Sequence, residues 1–274
     1  MLEYIRRNVV DEVFVHLSSQ TNLPINKIIK ELEVMGVTVD LNINVFEMEI
    51  PVQREIERIG NYYTVSFSPK IHSFKQIFFK RVMDIVGAIV GLLITGIVTV
   101  FLAPALLIES PGPLFFSQVR VGKNGRRFKI YKFRSMYMDA EERKKELMSQ
   151  NEMEGLMFKM ENDPRVTKVG KFIRKTSIDE LPQFWNILKG EMSLVGTRPP
   201  TEDEFLQYEG YHRRRLNMTP GLTGLWQVSG RSDTKNFEEI VAMDVEYIDN
   251  WSLKEDIKIL FKTVGVVLKG KGAS

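Results

Sequence analysis

The chain has 274 residues, 43% of them hydrophobic and 27% charged, with a formal net charge of +3; this is a globular composition, too long for one minimal domain, and points to two folded units plus a membrane piece. It has no cysteine, and its three histidines, His16, His72 and His212, lie far apart, which excludes disulfides, thiolate catalysis and thiolate metal sites and leaves hard cations held by carboxylates as the expected metal chemistry. The basic residues are clustered rather than numerous, which suits anionic headgroups or phosphorylated substrates better than nucleic acid, for which no motif is present.

The opening "MLEYIRRNVVDEVFVHL" has no apolar core before a cleavage site and does not read as a signal peptide. Val13 to Leu17 predicts a buried strand. Asn22 to Val34 predicts a helix, with Ile25, Ile28, Ile29 and Leu32 at helical spacing, Pro24 near its start and Gly36 after its end. Val37 to Val45 alternates as a second strand, and Tyr62 to Phe67 reads as a third. Strand, helix and strand with short links make a parallel α/β unit, but a doubly wound sheet needs more strands, so the chain is expected to begin inside a domain. Pro69 to Ser73 is the expected linker.

Ile85 to Ile108 is an uncharged apolar run. As a helix it would reach roughly 36 Å, enough to cross a hydrocarbon core of about 30 Å. Its flanks are both basic: Lys80 and Arg81 precede it, and Arg120, Lys123, Arg126, Arg127, Lys129, Lys132 and Arg134 follow with no acidic residue between Gln118 and Met138. Positive flanks stay cytoplasmic, so both ends are expected on one face, and the segment is expected to enter the membrane and return. That requires a break, for which Gly96 and Pro104 are the candidates. Asp84, at the mouth of the run, is expected to pair with Arg81 or to cap the helix near the headgroups.

Beyond the "PGP" turn, Phe115 to Gln118 and Phe128 to Tyr131 predict a hairpin around Gly122 to Gly125. Asp139 to Gln150 reads as a solvated charged helix, Asn162 to Arg165 as a turn, and Gly170 to Lys175 as a short basic helix. An amphipathic helix is expected from near Ser177 to Gly190, with Leu181, Phe184, Trp185 and Leu188 on one face. Met192 to Val195 predicts a short strand leading into the stiff loop Gly196-Thr197-Arg198-Pro199-Pro200. Phe237 to Ile248 and Trp251 to Lys269 close the chain as helices. The last opens on Ser252 and Glu255 as a capping box and sets Leu253, Ile257, Leu260, Phe261, Val264 and Leu268 against Lys254, Lys258 and Lys262. Such a helix can lie in a membrane interface or dock on the core.

The candidate chemistry gathers at Asp179 and Glu180, which stand at the entrance of the amphipathic helix just after Arg174 and Lys175. Ser177 to Glu180 can be read as a plain capping box, but Pro182 is awkward in that frame and comfortable if Asp179 or Leu181 is the cap, which puts both carboxylates at the helix rim. A helix N-terminus attracts anions, so phosphate and carboxylate could meet there once a divalent cation offsets their repulsion. Arg198 and Arg174 are the candidate phosphate forks, against the alternative of ordinary surface ion pairs. Lys132 lies on a strand of alternating apolar and basic residues. In "GLTGLWQVSGRS", Gln227 and Arg231 belong to either a nucleotide-contacting loop or a mere turn.

Taken together, "FKRVMDIVGAIVGLL", "GPLFFSQVRVGKNGRRFKIYKFRSM", "DPRVTKVGKFIRKTSIDELPQFWNILKGEMSLVGTRPP", "PGLTGLWQVSGRS" and "MDVEYIDNWSLKEDIKILFKT", in this order, resemble the bacterial polyprenyl-phosphate hexose-1-phosphate transferases. These are the monotopic phosphoglycosyl transferases that begin capsule and exopolysaccharide assembly. The match runs from about Phe79 to the end. The resemblance implies an α/β chain in three parts: 1–73, the C-terminal part of a Rossmann-like, partial parallel α/β domain; 74–110, a re-entrant membrane helix; and 111–274, an α+β catalytic domain with interfacial C-terminal helices. It further implies that the chain is the truncated end of a larger protein with N-terminal transmembrane helices, and that larger relatives form a homodimer.

By the same resemblance, Asp179 is the nucleophile that attacks the β-phosphorus of a UDP-hexose, of the glucose or galactose type, releasing UMP. Undecaprenyl phosphate then takes the sugar phosphate from the carboxylate, on the cytoplasmic face of the bacterial plasma membrane and among its lipids. Glu180 assists, and with Asp179 holds Mg²⁺. Lys132, Arg174 and Arg198 bind phosphate, Gln227 and Arg231 contact the nucleotide, and Asp244, in "MDVEYI", matches a functionally important aspartate. The sequence departs from the pattern at Gly96-Ile97, where many members have Ser-Pro, and at Thr197, where a proline often stands and whose change is expected to loosen the loop. The competing readings are a glycosyltransferase that releases UDP and a non-catalytic membrane scaffold.

Overall fold

The structure, a computed structural model, describes residues 2–16, 24–42, 53–60, 62–68, 74–147, 160, 163–229 and 236–268. The expected linker Pro69 to Ser73, Asn162 and Arg231 lie outside them. Helices and strands are mixed throughout.

The N-terminal part comprises α1 (Leu2–Arg7), β1 (Glu12–His16), α2 (Ile25–Val34), β2 (Thr38–Asn42), β3 (Gln53–Ile59) and β4 (Tyr62–Ser68). Its sheet has the order β1-β2-β4-β3. β1 and β2 are parallel, as the strand-helix-strand pattern predicts, but β4 runs antiparallel to both β2 and β3, so the sheet is mixed rather than parallel. The missed strand, β3, reads "QREIERI", with Ile56 and Ile59 at a helical spacing; pairing with β4 across its whole length overrides that local signal. Ile5, Ile29, Leu32, Met35, Val37, Val39 and Leu41 form a core of their own here.

The centrepiece is α3 (Phe74–Glu109), a single helix of 36 residues. The expected break is not seen: α3 continues through Gly96 and Pro104. A glycine costs a helix only about 1 kcal/mol, and a proline about 3 kcal/mol, against the many backbone bonds of an apolar run. One stripe of α3, carrying Lys80, Asp84, Ala88, Gly91, Thr95, Leu102 and Leu106, is buried, while the opposite side, including Val86, Ile89, Leu93, Ile97, Val100 and Phe101, is exposed.

The rest folds along that stripe. β5 (Phe115–Val121) and β6 (Arg127–Phe133) form the predicted antiparallel hairpin. Then come α4 (Ala140–Leu147), α5 (Lys168–Lys175), α6 (Gln183–Lys189), β7 (Ser193–Val195), α7 (Glu202–Leu206), β8 (Gly221–Thr223), α8 (Leu225–Val228), α9 (Phe237–Asp249) and α10 (Leu253–Leu268), with β7 parallel to β8. Ala88 of α3 belongs to the main core, with Ile130, Ile187, Leu194, Val195, Tyr247, Trp251 and Ile259. A side chain at Gly91 would collide with the Phe184 ring, so this glycine lets α6 approach α3 closely.

Polar bonds pin α3 along its length. Lys80 donates to the Val195 carbonyl at 2.9 Å and pairs with Asp256 at 2.6 Å. Arg81 donates to the carbonyls of Ile187 and Leu188, closing the C-terminus of α6. Asp84 does not pair with Arg81 or face headgroups: it is buried and accepts from Ser193 Oγ and the Leu194 amide, because β7 offers it donors that satisfy a carboxylate out of water. At the far end, Glu109 accepts from the Lys168 and Val169 amides at the start of α5. α10 docks through Asp256 and Ile259, both fully buried, yet leaves Ile257, Phe261 and Val264 exposed on a second face.

Candidate active site

The two carboxylates owe their position to a turn. α5 starts on a Thr167 cap and ends at Thr176; Ser177 then takes a left-handed conformation, φ 54°, and makes no side-chain cap bond. Of the two readings of this helix start, the Ser177–Glu180 capping box is absent, and the cap of α6 falls at Pro182 rather than at Asp179 or Leu181. Instead Ile178–Glu180 forms one 3-10 turn, and α6 begins only after Pro182, which occupies its N-cap. A non-glycine residue at positive φ is uncommon, and here it marks the reversal between α5 and the turn that carries Asp179 and Glu180.

Lys132, on β6, meets them. Its Nζ donates to Glu180 Oε1 at 2.6 Å and lies 3.9 Å from Asp179 Oδ2. Asp179 is only 7% exposed. Burial pushes its carboxyl up to about 6, the Glu180 charge adds to the rise, and Lys132 and Arg174 restrain it. Burial also works against the Glu180 charge, but Lys132, Arg198 and Gln183 outweigh it and hold Glu180 below the usual carboxylate range. Adjacent carboxylates thus differ in character: Asp179 is the basic one, and Glu180 stays ionised against the lysine.

Arg198 stands on a loop tied at both ends. The Gly196 amide donates to Thr223 and the Gly221 amide to Thr197. Thr197, buried, donates its hydroxyl to the Arg215 carbonyl at 2.8 Å, so the threonine tethers the loop rather than loosening it. On the other side the Val121 amide donates to Pro200, Arg120 Nη1 donates to the Pro199 carbonyl at 3.2 Å, and Arg120 bridges Thr201, which caps α7 in a full capping box with Glu204.

The structure therefore brings together Asp179, Glu180 and Lys132, with the charges of Arg174 and Arg198 acting on the carboxylates. Gln227, on α8, follows Gly224, which packs against the Gly196 carbonyl; its Oε1 is buried with no partner among the described residues. Asp244 makes no direct bond to Asp179, Glu180 or Lys132 among the described residues, but the Arg198 charge acts on it. It is 1% exposed and pairs with Arg215 at 2.6 Å, and Arg215 in turn donates to the Tyr208 hydroxyl. Arg215 also accepts, through its carbonyl, from the Thr197 hydroxyl that tethers the Arg198 loop. Burial raises the Asp244 carboxyl, and Arg215 pulls it down. Sequence reasoning missed Arg120, Arg215 and Tyr208: Arg120 was one of many basic residues on the hairpin, and Arg215 sits in the run "RRR", which reads as a solvated charge cluster.

Asp179 and Glu180 offer two adjacent hard oxygen donors, a chemistry that suits a magnesium ion. Among the described residues no group of three or more His, Cys, Asp or Glu side chains could hold a metal ion.

The chain is similar to several known proteins. The Streptococcus agalactiae serotype III "Galactosyl transferase CpsE" is 51% identical over 266 residues, covering 96% of this chain and 59% of the relative. The Salmonella typhimurium "Undecaprenyl-phosphate galactose phosphotransferase" is 46% identical over 200 residues, 72% of this chain and 42% of the relative. "Exopolysaccharide production protein ExoY" of Rhizobium meliloti is 41% identical over 198 residues, 71% of this chain and 87% of the relative. The chain thus spans about half the length of the first two. The sequence model described as "Bacterial sugar transferase" matches residues 75–270, a stretch that holds all of α3 but its first residue and every residue of the cluster just described, and the chain belongs to that family.

Proposed function

We propose that this protein transfers hexose 1-phosphate, of the galactose or glucose type, from a UDP-sugar to undecaprenyl phosphate, releasing UMP in the first membrane step of capsular or exopolysaccharide synthesis. The observation that carries the reading is Asp179: a buried carboxylate raised to about 6, beside a lysine and within the field of Arg174. Such a group is ionised at neutral pH yet more nucleophilic than an ordinary aspartate. An Asp179 oxygen attacks the β-phosphorus; the bond from that phosphorus to the bridging oxygen breaks, and UMP departs with the electron pair. A lipid phosphate oxygen then attacks the same phosphorus, and the carboxylate leaves, giving a polyprenyl diphosphate sugar.

Every group entering the site is anionic, so charge neutralisation is the main requirement. Lys132 holds Glu180 and faces Asp179, while Arg198 and Arg174 supply forks for phosphate oxygens. Magnesium, held by Asp179 and Glu180, would offset further negative charge on the phosphates. The membrane placement rests on α3: Lys80 and Glu109, near its two ends, are bonded to the same catalytic fold. A helix so attached supports a one-sided, surface-lying arrangement on the cytoplasmic face rather than a crossing.

The test is product identification with the full chain in detergent or nanodiscs. UMP, formed from UDP-galactose or UDP-glucose only with undecaprenyl phosphate present or as a single burst without it, is expected; Asp179→Asn should abolish both. UDP as the nucleotide product would replace this reading with an ordinary glycosyltransferase.

A further inference from the structure

Arg120 lies near the end of β5 and bridges Thr201 beyond the Arg198 loop, yet its side chain is only partly accounted for. Nη1 donates to the Pro199 carbonyl at 3.2 Å and Nη2 to Gln118 Oε1 at 2.8 Å. Nε is buried with no hydrogen-bond partner among the described residues. None of its described partners is a carboxylate within ion-pair distance. A guanidinium left in this state is expensive, since removing a charge from water costs several kcal/mol unless an opposite charge replaces it. Arg213, also incompletely bonded, has a different account, because its guanidinium stacks on the Phe205 ring.

The cost is compounded by like charge. The backbone bond from the Val121 amide to Pro200 and the Arg120 side-chain bond to the Pro199 carbonyl hold the Arg198 loop against the end of β5, beside Arg120. Burial pulls Arg120 down to about 10 and the Arg198 charge pulls the same way, while the Glu204 and Glu180 charges, neither of them in an ion pair with it, offset only part of that fall. Two neighbouring cations, held by a stiff loop and a strand, repel each other until an anion comes between them.

We propose that Arg120 is a second substrate-contacting arginine, forming with Arg198 a two-guanidinium clamp for a phosphate group of the nucleotide diphosphate or of the polyprenyl phosphate. This deepens the reading given above and rests on it for the identity of the substrates. The charges of both Arg120 and Arg198 act on Glu180, so the clamp stands within the field of the carboxylate cluster.

The decisive measurement is the Kd of inorganic diphosphate for the full chain in nanodiscs, by calorimetry, for wild type, Arg120→Gln and Arg120→Lys. Each variant's fold is checked by circular dichroism and thermal melting. A clamp predicts that Arg120→Gln weakens diphosphate binding by roughly tenfold or more, and that Arg120→Lys, which keeps the charge but loses the fork, falls between. A Kd within about twofold of wild type in a folded variant would leave Arg120 a mere brace for the Pro199 loop and overturn the proposal. KM values assign the source: a rise for the UDP-sugar marks the nucleotide, and a rise for undecaprenyl phosphate marks the lipid. Should wild type release UDP instead of UMP, the functional reading fails, while diphosphate binding still decides the clamp.

Discussion

Burial holds the Asp179 proton up to a pKa of about 6, whereas attack on phosphorus needs the ionised carboxylate. kcat/KM is therefore expected to fall by about tenfold per pH unit once the pH drops below about 6. Lys132 restrains that pKa, so Lys132→Met should move the acid limb to higher pH and lower kcat/KM by on the order of 100-fold; a limb that stays in place would show that Lys132 does not set the ionisation. The same shift has a stability consequence of definite sign. The ordinary value is 3.8 and the folded value about 6, so between them the unfolded chain releases its proton first. Stability then falls as pH rises through this window and stays lowered above it. Asp179→Asn, though inactive, should melt later than wild type near neutral pH, by on the order of 2 kcal/mol, and the gain should vanish below about pH 4.

At the scale of elements, α3 is held by a few buried bonds rather than by its apolar composition alone. Asp256 accepts from Lys80, from the Tyr247 hydroxyl and from the Trp251 indole. Lys80→Met strands this fully buried carboxylate, and a loss of about 3 kcal/mol in chemical denaturation is expected, with Asp256→Asn restoring part of it. Two glycines in the same helix should respond oppositely. Gly91→Ala drives a methyl group into the Phe184 ring and should cost about 1 to 3 kcal/mol. It also disturbs Thr95, which donates to both the Gly91 and the Leu181 carbonyls at the mouth of α6, so activity should fall with it. Gly96 has nothing within reach of an added methyl group, and Gly96→Ala should stabilise the helix by up to about 1 kcal/mol.

Across the whole molecule, the outer face of α3 and the Ile257, Phe261 and Val264 stripe of α10 are both apolar and uncovered, with Phe172 and Trp185 exposed as well. A one-sided membrane arrangement predicts that single cysteines at Lys75 and Ser117, in a chain with no cysteine of its own, are both labelled from the cytoplasmic side. Labelling from opposite sides would establish a crossing. The N-terminal part rests on the catalytic part through Asp11, which pairs with Arg126 and accepts from Asn124, and through the Asn8 carbonyl, which accepts from Arg213. The Asp11 contacts are exposed and contribute little stability.

Much of the site was legible because its chemistry is local: Asp179 and Glu180 are adjacent, Arg174 precedes them by less than two helical turns, and Arg198 sits in a loop stiffened by Pro199 and Pro200. The hairpin, α5, α9 and α10 were legible for the same reason, since hydrophobic period and turn residues act over a few positions. Other features needed the folded chain. β3 became a strand through pairing with β4, α3 stayed whole because one face packs along the catalytic core, and Asp84 found its donors on β7. Asp244 proved to be a buried partner of Arg215, and Arg120 came to lie beside Arg198. Sequence alone determined which groups could do the chemistry, because reactivity resides in side-chain type and near neighbours; the tertiary structure decided which of them face one another, because burial and charge proximity arise only when distant segments meet.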